Sequence, residues 1–230
     1  MKKKKLIISL VLKLGVAILI FIAIIIDLVK VKEIHNLKFF TQLSNIFAAI
    51  VALIYVVYDI LELKGKKIKA PKWLNYVKLA ATVGVTLTFV VFWTLLSWNP
   101  LLPKGYLYSY KNLSLHTFGP LLMITNYIMF TDEYYPTLKR MATSLIPPIL
   151  YFVFASILIA KNITFGDEIK APYFFLDYKE YGWFQINKNG IGVFYWVIIM
   201  IIIVYGLTLA LTGLYRLCIK KKEPKVISQE

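Results

Sequence analysis

Thr41, in "FFTQLSN", and His116, in "SLHTFGP", carry the ingredients of an acyl transfer. A threonine hydroxyl becomes a nucleophile when a base takes its proton during attack, and neutral imidazole is the commonest such base. Ser44 and Asn45 follow Thr41 by three and four residues. On a helix that spacing puts both on the Thr41 face, as hydrogen-bond donors to an oxyanion or as substrate-positioning groups. Gln42 points elsewhere. Asp27 is the acid expected to orient the imidazole, as the third member of a triad does. Lys38, three residues before Thr41, and Lys111, five before His116, suit the carboxylate of an acyl-chain substrate.

Each residue also has a plainer reading. Thr41 could cap a helix, which for an isolated threonine at a helix start is the more frequent use. His116 could be an interfacial imidazole, Ser44 and Asn45 helix-packing groups, Asp27 a solvated carboxylate and the two lysines snorkelling cations. Spacing alone leaves these alternatives open. With two histidines and one cysteine, Cys218, in the chain, metal and bis-histidine haem sites lack ligands, so no metal or cofactor is expected.

The elements that must position these groups are apolar. Of 230 residues 59% are hydrophobic and 17% charged, and mean hydropathy is +0.68. A soluble domain does not look like this. Six runs of spanning length stand out at 6–29, 39–61, 77–98, 113–130, 141–160 and 191–217, and only helices satisfy their own backbone within lipid. The expected fold is all-α: one polytopic integral membrane domain over 1–230, a bundle of six transmembrane helices. Lys13, inside the first run, is expected to snorkel toward its basic end. Pro147 and Pro148 should bend the fifth span. Pro120 should open the fourth next to His116.

The net charge of +15 comes from lysines beside the spans, where anionic headgroups rather than nucleic acid are the partner. Lysines and arginines at residues 2–5, 64–78, 139–140 and 216–225 outnumber those at 30–38, 104–111 and 161–188 nearly two to one. The positive-inside rule therefore puts both termini in the cytoplasm. Spans two and four then enter from the outer side, which sets Thr41 and His116 at one depth. The aromatic stretch "FGDEIKAPYFFLDYKEYGWF" before the last span is expected to fold over the outer mouth as a lid.

Taken together, "FFTQLSNIFAAIVAL", "SLHTFGPLLMITNYIMF" and "APYFFLDY" resemble, in that order, the bacterial branch of the androgen-induced-protein family of multi-pass membrane proteins. Animal members are threonine hydrolases that cleave fatty acid esters of hydroxy fatty acids with an intramembrane threonine and histidine. The resemblance runs from span two through span six and implies Thr41 as nucleophile and His116 as its partner; Ser44, Asn45 and Asp27 enter through local geometry alone. The expectation is a lipid ester hydrolase working among membrane lipids. The competing reading is a lipid- or small-molecule-binding membrane protein, a sensor or assembly factor, using the same pocket without turnover. A secondary transporter is disfavoured by the lack of repeat symmetry and of charge at mid-depth.

Overall fold

The computed structural model describes residues 3–31, 34–98, 105–131, 134, 136–166, 169–188 and 190–220. Of the basic residues that orient the spans, Lys2, Lys32, Lys104, Lys221, Lys222 and Lys225 lie outside the described residues, as do Asp167 and Glu168 of the aromatic stretch.

The first apolar run forms α1 (Lys3–Ile26), ending in a π-helical turn at Asp27–Val31. A 3-10 turn at Ile34–Lys38 leads into α2 (Phe40–Leu63). Pro71 stands at the N-cap of α3 (Lys72–Val91), which ends in another π turn, Phe92–Leu96. Then α4 (Tyr110–Leu113), a π turn (Ser114–Phe118) and α5 (Gly119–Phe130) run on without a gap. So do α6 (Leu138–Met141), a 3-10 turn (Ala142–Leu145) and α7 (Ile146–Ala160). The long connection that follows holds α8 (Tyr178–Tyr181), capped by the Asp177 carboxylate, and a hairpin of β1 (Ile186–Asn187) and β2 (Gly190–Ile191). Last comes α9 (Val193–Lys220).

Five helical stretches among the described residues are long and apolar enough to cross a membrane: Lys3–Val29, Phe40–Leu63, Lys72–Leu96, Leu138–Ala160 and Val193–Ile219. Side chains such as Val11, Ile18, Val57, Leu150 and Ile202 stand exposed along them, a surface made for acyl chains rather than water. The expected fourth span is not among the five. Residues 110–130 are helical throughout, but Ser114, His116, Thr117, Pro120 and Asn126 dilute their apolar character. Pro147 and Pro148 occupy the first turn of α7, where their missing N–H groups cost little, and the irregularity falls in the 3-10 turn before them.

Central to the bundle is α3. On one side Ala81 and Val85 join a cluster in which Ala48, Ala49 and Ala52 of α2 let that helix close on Val16, Ile20 and Ala23 of α1. On the other, Leu79, Val83 and Leu87 meet Tyr151 and Ala155 of α7 and Val204 and Leu211 of α9. Lys13 does not snorkel: it is 2% exposed and its Nζ lies 2.7 Å from Asp59 Oδ2, because α2 presents a carboxylate to it inside the bundle.

Candidate active site

The helix carrying Thr41 begins at Phe40, and its cap position is Phe39, extended and without a side-chain cap bond. Thr41 therefore sits inside the first turn and is not the cap. It lines a chamber of about 350 Å³ together with His116, Gln42, Lys111, Asn112 and Tyr173. The two residues singled out for acyl transfer thus share one cavity. No hydrogen bond joins them to each other among the described residues.

His116 owes its setting to Pro120. The proline has no N–H to give, and the Gly119 N–H bonds five residues back to Ser114 O, so the helix widens into a π turn around the histidine. The Leu115 carbonyl, left without a helical donor, takes the Asn45 amide instead at 3.1 Å. Gly119 is needed at this break, since a Cβ there would lie 2.7 Å from Ser114 O and 3.3 Å from Ile20 of α1.

The imidazole is buried, stacked on Phe92 with centroids 3.8 Å apart and planes 20° from parallel. Its Nδ1 lies 3.2 Å from Asn112 O. A carbonyl only accepts, so Nδ1 carries the proton and the lone pair is on Nε2. That nitrogen has no bonded partner among the described residues. It is the state a general base requires.

The remaining expected groups divide. Asn45 Nδ2 is spent on the carbonyls of Thr41 (2.8 Å) and Leu115, and Ser44 Oγ on Thr88 Oγ1 (3.0 Å) and Thr41 O (3.2 Å). Neither lines the chamber, so neither is placed to stabilise an oxyanion; both serve helix packing. Asp27 does not orient His116, whose Nδ1 is held by a backbone carbonyl. Its buried Oδ2 instead accepts from Asn36 (3.1 Å), Gln42 (3.0 Å) and Lys111 (2.7 Å). Lys111 reaches the chamber with its charge already matched. Lys38 does not reach it: Nζ donates to Thr164 O at 2.7 Å and pins the long connection to the start of α2.

A second, apolar space of about 100 Å³ lies beside the first. Thr41, Leu96 and Tyr173 line both. Beyond Thr41 this crevice runs between α7 and α9, past Pro148, Met200 and Val204, to a rim where Ile149 and Ile201 are exposed. Its roof is the long connection, where Phe165, Phe175 and Leu176 are buried and Phe39 meets Phe165 edge-on at 5.8 Å.

Sequence reasoning missed four residues. Gln42 was assigned to another face, yet the π-helical end of α1 places Asp27 where Gln42 can reach it. Asn112 precedes His116 by four residues, a helical spacing that could have identified it. Tyr173 lay inside a stretch noted only as a whole. Nothing in the sequence pairs Phe92 with His116. Comparison of the chain with protein-family models, curated proteins and solved structures finds no match.

Proposed function

We propose that the protein is a membrane-embedded hydrolase of fatty-acyl esters, with Thr41 as nucleophile and His116 as base. One observation carries the reading: Thr41 lines both a polar chamber holding an imidazole with an open lone pair and an apolar crevice whose rim is exposed. An ester there has its acyl chain in the crevice and its carbonyl at Thr41. Thr41 Oγ1 adds to the carbonyl carbon while its proton passes to His116 Nε2. The proton then goes to the leaving alcohol, and water releases the acyl group by the same base. The resemblance to androgen-induced-protein motifs supports this reading, and with it fatty acid esters of hydroxy fatty acids as one substrate type.

In this proposal residues 110–130 form the sixth span. The polar groups that dilute it, Ser114, His116 and Asn126, are buried in the bundle, whereas Phe118, Leu121 and Met129 face outward. Six spans put both termini on one side, and the lysine distribution makes that side cytoplasmic.

Labelling of the full chain in lipid nanodiscs with a fluorophosphonate tests the reading. Labelling lost in Thr41→Ala and His116→Ala but kept in Lys179→Ala supports it; Thr41→Ala that still labels ends it. The absence of a direct Thr41–His116 bond keeps the lipid-binding alternative in view, and a folded protein silent to the probe favours that alternative.

A further inference from the structure

Tyr173 is one of the three residues shared by chamber and crevice. Its ring is gripped on several sides: stacked on Phe175 at 5.1 Å, edge-on to Phe39 at 6.2 Å and edge-on to Tyr151 at 6.3 Å. A ring held this way presents its hydroxyl at a set place. Thr41 lines the same two spaces as Tyr173, and Phe40 lines the crevice with them. Phe40 and Thr41 belong to the first turn of α2, whose first intrahelical bond is Leu43 N–H to Phe39 O. Their own N–H groups therefore have no partner within the helix. Burial pushes the phenol up from its ordinary range, so it keeps its proton at neutral pH.

Ser44 and Asn45 are committed to helix packing, which leaves the role of oxyanion donor open. We infer that Tyr173 fills it: its O–H donates to the ester carbonyl oxygen as Thr41 adds, alongside the first-turn amides of α2. The inference rests on the hydrolase reading. As the Thr41 Oγ1–carbon bond forms and the proton moves to His116 Nε2, the carbonyl π pair shifts onto oxygen. That anionic oxygen accepts from Tyr173, and on collapse it returns the pair as the alcohol leaves with the His116 proton. Water enters only after the alcohol has left, and releases the acyl group from Thr41.

The test uses the full chain in nanodiscs with 4-nitrophenyl palmitate as the probe ester. Tyr173→Phe keeps the ring and removes one oxygen; kcat should fall by roughly 10²–10³-fold with KM and thermal melting little changed. Replacing Tyr173 with 3,5-difluorotyrosine makes the phenol more acidic. Its proton is then lost at lower pH, and the alkaline limb of kcat/KM should move down. A ring acting only by packing would leave that limb in place. Full kcat in Tyr173→Phe, or an unmoved limb, overturns the inference. Ester hydrolysis that survives Thr41→Ala overturns the hydrolase reading instead, so the two failures are distinct.

Discussion

Asn45 donates to the carbonyl of Leu115 at 3.1 Å, and this contact ties the helix that carries Thr41 to the turn that carries His116. The same nitrogen donates to Thr41 O at 2.8 Å. The cause lies in Pro120, which breaks the helical ladder and leaves the Leu115 carbonyl in need of a donor. A residue first read as acting on substrate acts on the scaffold.

Asn45→Leu should therefore cost stability as well as activity. Leucine fills a similar volume but leaves the Leu115 carbonyl buried without its donor, a loss of about 1–3 kcal/mol. Thermal melting in detergent measures the first effect and the fluorophosphonate labelling rate the second. An oxyanion role would instead lower labelling with no change in melting.

Asp27 offers a sharper separation. An acid that orients the base would make Asp27→Asn lower kcat by about 10⁴-fold, as losing the third member of a triad does. Here Asp27 binds Lys111, Gln42 and Asn36, and no hydrogen bond joins it to His116 among the described residues. In Asp27→Asn kcat should therefore stay close to the wild-type value. Stability should fall by about 1–2 kcal/mol, less than the ~3–5 kcal/mol of a fully buried broken pair, because Lys111 keeps partial access to solvent.

What was legible in the sequence was what depends on periodicity and local chemistry. Apolar runs located the helices to within about five residues, and several starts, such as Lys3 and Lys72, lie outside the apolar run because charged first turns hydrogen-bond as helix without needing apolar side chains. Pro120 announced the opening at His116. Side-chain direction was not legible. Whether Asn45 faces substrate or Leu115 depends on how α2 and the π turn pack, and π turns shift every later residue by a fraction of a turn. Asp59, near the C-terminal end of α2, gives no local sign that it faces Lys13.

The apolar crevice should set chain length. Met200 lines it between α7 and α9, so Met200→Trp fills space that an acyl chain would take. Turnover of long-chain 4-nitrophenyl esters should drop at least tenfold while that of the butyrate ester holds. Equal loss for both would place the acyl chain elsewhere.

The buried pair of Lys13 and Asp59 tests whether charge inside this bundle serves structure or chemistry. Asp59 Oδ2 accepts from Lys13 Nζ at 2.7 Å and from Ser9 Oγ at 3.3 Å, with Asn126 Nδ2 donating to Ser9 O at 3.2 Å, so one network links α1, α2 and α5. Removing the carboxylate alone, Asp59→Leu, breaks the buried 2.7 Å ion pair with Lys13 and should cost about 3–5 kcal/mol. Lys13→Met together with Asp59→Leu replaces the pair by apolar volume and should recover most of that loss, because neither charge then stays buried without the other. A double-mutant cycle on melting measures the difference. Neither residue lines the chamber or the crevice, so the double variant should label at Thr41 as the wild type does. Lost labelling in a double variant of unchanged stability would mean that the pair communicates with the site, and its role would no longer be structural.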